Sequence, residues 1–85
     1  MRFPEEMTKD VHTRLRRVEG QIRGLQRLVD EGAECREIVT QLAAAQSALD
    51  RVGFKLISGA LQHCVATPGG GLDANEIEKL FLKLS

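Results

Sequence analysis

The chain has 85 residues, enough for one small domain, and holds no Trp, no Tyr and only three Phe with which to fill a core. Its 12 basic and 12 acidic side chains cancel, which argues against indiscriminate coating of nucleic acid. No run approaches the roughly eighteen apolar residues of a membrane span and no signal peptide opens the chain, so a reducing cytoplasm is the expected setting.

Residues 1–7 read as a short flexible arm. A first helix is predicted from near Thr8 to just before Gly32, a residue suited to the position after a helix C-cap. Val11, Leu15, Val18, Ile22, Leu25 and Leu28 recur at steps of three and four, the spacing of one apolar helix stripe. Gly20 and Gly24 lower the helix propensity of this segment and mark candidate points of close helix approach. Charge is uneven along it. Between residues 8 and 28, Lys9, Arg14, Arg16, Arg17, Arg23 and Arg27 face only Asp10 and Glu19, a basic stripe that points to phosphate backbones.

A second helix is predicted from about Glu34 to Ala66. Its stripe is Ile38, Val39, Leu42, Ala45, Leu49, Val52, Leu56, Ala60 and Val65, and the small run Ala43-Ala44-Ala45 favours close packing. Gly53 and Gly59 are its weak points, each costing roughly 1 kcal/mol against Ala. Thr67-Pro68-Gly69-Gly70-Gly71 then breaks the helix. Asp73 with Glu76 three residues on resembles a capping box, and Ile77, Leu80, Phe81 and Leu84 form the apolar face of a short third helix. Nothing reads as a strand. The fold class is all-α, three helices per chain, and helices this long in so short a chain call for self-association to bury their stripes.

The only two cysteines, Cys35 and Cys64, stand near opposite ends of the second helix. In an unbroken helix they lie about 43 Å apart at 1.5 Å per residue and cannot meet within one chain. They can meet if two such helices pack antiparallel. A break at Gly53 or Gly59 would reopen an intrachain site. The competing reading is a pair of small buried hydrophobes. His63 and Cys64 point about 100° apart on a helix, so they form no dyad, and a solvent-facing His63 is expected. His12 is placed on the polar face of the first helix. Gly69 to Gly71 lacks the Lys-Ser/Thr of a phosphate loop and reads as a connector. No nucleophile–base pair, metal triad or cofactor loop is present, so an enzyme is not expected.

Thr13-Arg14-Leu15-Arg16-Arg17-Val18-Glu19-Gly20-Gln21-Ile22-Arg23-Gly24, Cys35, Gln41 to Leu49, and Leu61-Gln62-His63-Cys64-Val65 together resemble the copper-sensing repressor (CsoR/RcnR) family, from about Thr8 to Leu84. The resemblance implies residues 1–85 as a single DNA-binding and sensor domain, with 67–72 a loop. It also implies an antiparallel four-helix dimer core assembling into a tetramer and a double-stranded operator as partner. Arg14 and Arg51 match DNA-contacting positions, with Arg16, Arg17 and Lys9 as helpers.

By the same resemblance Cys35 and Cys64 match the two thiol ligands of the family's Cu(I) sensors, while Ala60 stands where those carry a His. Glu34 replaces a Tyr, and Lys79 replaces a Glu. These departures point toward the persulfide-sensing CstR-like branch, in which paired thiols of two subunits are bridged after reaction with a reactive sulfur species. No cofactor is then required. Cu(I) held by Cys35 and Cys64 is the alternative effector, another electrophile or oxidant a further one, and a helical assembly protein with inert cysteines the alternative from another class.

Overall fold

The computed structural model describes residues 2–67 and 69–85. Met1, at the start of the expected arm, and Pro68, within the expected interhelical break, lie outside them. Three helices follow in chain order: α1 (Glu5–Asp30), α2 (Cys35–Ala66) and α3 (Ala74–Leu84). There is no strand among the described residues, so the all-α expectation holds.

α1 starts three residues earlier than its apolar pattern predicts, which takes residues 5–7 out of the arm. Pro4 is the N-cap; its carbonyl accepts the Thr8 N–H at 3.0 Å, and Glu5 and Glu6 bring negative charge to the positive end of the helix dipole. Met7, one turn before Val11, carries the apolar stripe back into this turn. The other end closes as predicted. Gly32 sits at φ 69°, its N–H donates to the Val29 carbonyl at 3.1 Å, and Ala33 donates to Leu28 at 3.0 Å. That pair of bonds is a Schellman closure, and only Gly adopts its left-handed residue without strain.

α2 runs unbroken through Gly53 and Gly59 for 32 residues. Both glycines serve packing. A Cβ on Gly53 would come within 3.2 Å of Leu84 Cδ1 of α3, and one on Gly59 would collide with the Met7 thioether of α1. Gly24 likewise lies under Gln41 of α2, whereas Gly20 faces open space. α3 begins as the sequence predicts, with the Asp73 carboxylate accepting the Glu76 N–H at 2.9 Å.

α1 packs along α2, and α3 packs on α2. The core is thin: Val11 and Val18 of α1, Ala45, Val52 and Ala60 of α2, and Ile77 of α3. The single stripe expected on α1 therefore divides. Val11 and Val18 turn inward, while Leu15, Ile22 and Val29, spaced by sevens, are exposed, as are Val39, Leu42 and Leu49 on α2. On α3 only Ile77 is buried; Leu80, Phe81 and Leu84 stay exposed. The molecule measures 53 × 24 × 12 Å, so its thinnest dimension is about one helix diameter. A layer one helix thick leaves a second apolar face uncovered.

Candidate functional site

Two regions of chemistry lie along the α1–α2 pair. The first is a hollow of about 310 Å³ lined by Arg14, Arg17 and Gln21 of α1 and by Ala48 and Arg51 of α2. Arg14 and Arg17 are three apart and Arg51 comes from the facing helix, so three arginines border one concavity. Arg14 Nε donates to Asp10 Oδ2 at 3.3 Å. The same Asp10 oxygen pairs with Lys55 Nζ across the helix interface. Lys55 lies one turn beyond Arg51. The Lys55 ammonium, more than any other neighbour, holds the Asp10 carboxyl below its usual value, with Arg14 adding to the effect.

Of the five basic residues singled out in the sequence, the structure gathers Arg14, Arg17 and Arg51 and leaves out the other two. Lys9 is engaged with Glu5 at 3.5 Å on the exposed side of α1, and Arg16 is exposed outside the hollow. Asp10 and Lys55 were missed. The Asp10–Arg14 spacing, acid one turn before base, was a legible local signal. The crossing to Lys55 was not, because it depends on the register of two helices.

The second region holds the thiols. Cys35, the first residue of α2, is exposed, whereas Cys64 is half-buried near its end. The helix between them is continuous, so the two thiols of one chain stand about 43 Å apart. Cys64 borders a hollow formed with Gly69, Gly71, Leu72, Asp73 and Glu76. His63 faces a different groove, shared with Met7, Asp10, Lys55 and Gly59, so no His63–Cys64 pair forms. His63 is half-buried and not solvent-facing as expected, because the glycine loop folds back on it: a Cβ on Gly70 would lie 3.1 Å from its Nε2. His12 is exposed, as expected.

Ala60, one turn before Cys64, is 3% exposed. It lines an apolar hollow with Phe3, Leu56, Ile57, Leu72, Leu80 and Leu84. No group of three His, Cys, Asp or Glu side chains suited to a metal ion forms among the described residues of one chain. No helix among the described residues is long and apolar enough to cross a membrane.

The model of a family described as metal-sensitive transcriptional repressor matches residues 7–83. The chain is 44% identical over 69 residues to the copper-sensing transcriptional repressor RicR of Mycobacterium tuberculosis (strain ATCC 25618 / H37Rv), an alignment covering 76% of this chain and 72% of that protein. It is 39% identical over 56 residues to the copper-sensing transcriptional repressor CsoR of Bacillus subtilis (strain 168), covering 66% of this chain and 55% of that protein. A 38-residue stretch is 47% identical to the uncharacterized protein YrkD of the same organism, covering 45% of this chain and 60% of that one. The family consists of transcriptional repressors, not enzymes. The resemblance carried by the arginine-rich segment and the two cysteines thus extends over nearly the whole chain, which belongs to the metal-sensitive transcriptional repressors, the CsoR/RcnR family.

Proposed function

We propose that this protein is a cytoplasmic operator-binding repressor released when a thiol-reactive effector joins Cys35 of one subunit to Cys64 of another. The observation that carries this reading is the unbroken α2, which sets the two thiols of a chain at opposite ends. Antiparallel pairing of two α2 helices through the exposed Val39, Leu42 and Leu49 would bring unlike thiols together at both ends of a dimer. Two dimers would make the tetramer. Operator phosphates would meet Arg14, Arg17 and Arg51, the arginines that border one hollow.

Within this reading the effector is a reactive sulfur species. The buried Ala60 supports it, since the turn before Cys64 offers no third donor and points its side chain into an apolar hollow. A polysulfide would transfer one sulfane sulfur to the Cys35 thiolate, giving a persulfide and a polysulfide shortened by one sulfur. The Cys64 thiolate of the facing subunit would then attack Cys35 Sγ, forming a disulfide and expelling hydrosulfide. Cu(I) is the second reading, favoured by the two copper-sensing relatives and by the affinity of paired thiolates for that ion.

Denaturing, nonreducing mass spectrometry after separate treatment with polysulfide and with Cu(I) tests the choice. A covalent dimer through Cys35 and Cys64 after polysulfide supports sulfur sensing. Unlinked monomers after polysulfide, together with Cu(I)-dependent loss of DNA binding, support the copper reading.

A further inference from the structure

The Asp10 carboxylate lines the groove between the start of α1 and the end of α2, and its bond to Arg14 links that groove to the arginine hollow. One of its oxygens takes both Arg14 Nε and Lys55 Nζ. The first bond leaves the terminal nitrogens of Arg14 without a partner among the described residues, with Arg17 and Arg51 beside them. The second holds a cation that stands one helical turn from Arg51 and would otherwise be free for phosphate.

We infer that Asp10 is a positioning residue of the DNA-binding surface: it fixes the Arg14 fork toward the hollow and withholds Lys55 from the nucleic acid. This rests on the repressor reading above and adds a specificity element to it. A guanidinium anchored through Nε presents its remaining donors in one plane, which favours a single phosphate or base-edge geometry. A free lysine is a mobile point charge that binds any backbone, so capturing it suppresses sequence-independent affinity. A carboxylate bonded to an arginine of the DNA-binding surface would otherwise only weaken DNA binding. Its engagement with both cations gives it a use there.

The test compares two duplexes, one recovered by in vitro selection with the wild-type protein and one of mixed sequence, across a series of salt concentrations. Asp10→Asn is expected to bind the mixed duplex more tightly and to lose about tenfold of its preference for the selected one, the low end of what one well-oriented contact provides. Its salt slope on the mixed duplex should steepen by about one unit as Lys55 joins the contacts. Asp10→Asn/Lys55→Gln should return the slope to the wild-type value while the preference stays low, and Asp10→Glu should restore part of the preference. Wild-type preference and slope in folded Asp10→Asn overturn the inference and leave the repressor reading standing. Should Asp10→Asn not fold, Lys55→Gln decides: an unchanged slope agrees with a captured lysine, and a shallower one overturns it. A wild-type protein that selects no duplex overturns both readings.

Discussion

The Met7 thioether of α1 lies against the backbone of Gly59 in α2, at a point where any side chain on residue 59 would collide with it. Two opposed effects then act on Gly59→Ala. The helix interior gains about 1 kcal/mol, and the flexible end of Met7 must move. The expected net change is within about 1 kcal/mol of zero. Gly59→Val adds bulk that Met7 cannot clear without moving α1, and should cost about 1–3 kcal/mol. Thermal unfolding of both variants, alone and with Met7→Ala, measures this; if Met7 is the obstacle, Met7→Ala recovers part of the valine loss.

Asp10 makes stability depend on pH in a predictable direction. Its folded-state pKa lies below the ordinary value of 3.8, through Lys55 first and Arg14 second, so the native state favours the ionised carboxylate. That contribution is fully present above the unfolded value and is lost as pH falls through the folded one. Glu6 and His63 line the same groove, so the comparison has to isolate Asp10. Unfolding of wild type and Asp10→Asn across pH should give a gap that is constant at neutral pH and closes in acid. A gap that widens in acid would contradict this assignment.

Ile77→Ala tests how α3 is held. Ile77 is the one buried residue of an 11-residue helix, and its neighbours Phe81, Leu82 and Leu84 are exposed. A cavity at this point should cost about 2–4 kcal/mol and loosen α3 before the α1–α2 pair. Hydrogen exchange should show faster exchange in residues 74–84 and unchanged protection around Val52. Uniformly faster exchange would mean that α3 is integral to one cooperative unit.

The limits of the sequence reading follow from the range of each physical signal. Helix existence, the Schellman glycine at 32 and the Asp73 cap all rest on spacing within a turn or two, and all are legible; the continuity of α2 past Gly53 and Gly59 stays open in the sequence, since those glycines pack against Leu84 and Met7, far away along the chain. The start of α1 lies three residues before the expected one: Met7 stands at stripe spacing from Val11, but its packing on Gly59, 52 positions away, is a contact that spacing does not reveal. The division of the α1 stripe into Val11 and Val18 inside and Leu15 and Ile22 outside requires knowing which side meets α2. Arg17 could not be told from Arg16 for the same reason. One step around the helix decides which faces Arg51, and only the crossing of the helices fixes that step.

Ala60→His addresses the effector from the packing side. The side chain would enter a hollow formed by Phe3, Leu56, Ile57 and Leu80, at a position now 3% exposed. Overpacking and burial of an imidazole should lower stability by about 1–3 kcal/mol without metal. If paired Cys35 and Cys64 thiolates lie nearby in the dimer, Cu(I) should restore more stability to the variant than it adds to wild type. Thermal melts with and without Cu(I) measure both effects. A variant as stable as wild type and indifferent to Cu(I) would place residue 60 away from the thiol site.

The arginine hollow makes its own distinction between neighbours. Arg17 borders the concavity with Arg14 and Arg51, whereas Arg16, equally exposed, lies outside it. A phosphate seated among the three guanidiniums displaces condensed counterions, so removing Arg17 should lower the salt slope of DNA binding by about one unit. Arg16→Ala should change it by less than half as much, because Arg16 lies outside the hollow and a charge more than roughly 8–10 Å from the phosphate is screened at ordinary ionic strength. Arg17→Lys separates charge from shape. It should keep the slope yet weaken binding, since lysine cannot supply the planar fork. Fluorescence anisotropy over a range of salt concentrations reads all three variants. Equal slopes for Arg16→Ala and Arg17→Ala would mean that the DNA follows the outer face of α1 and not the hollow between the helices.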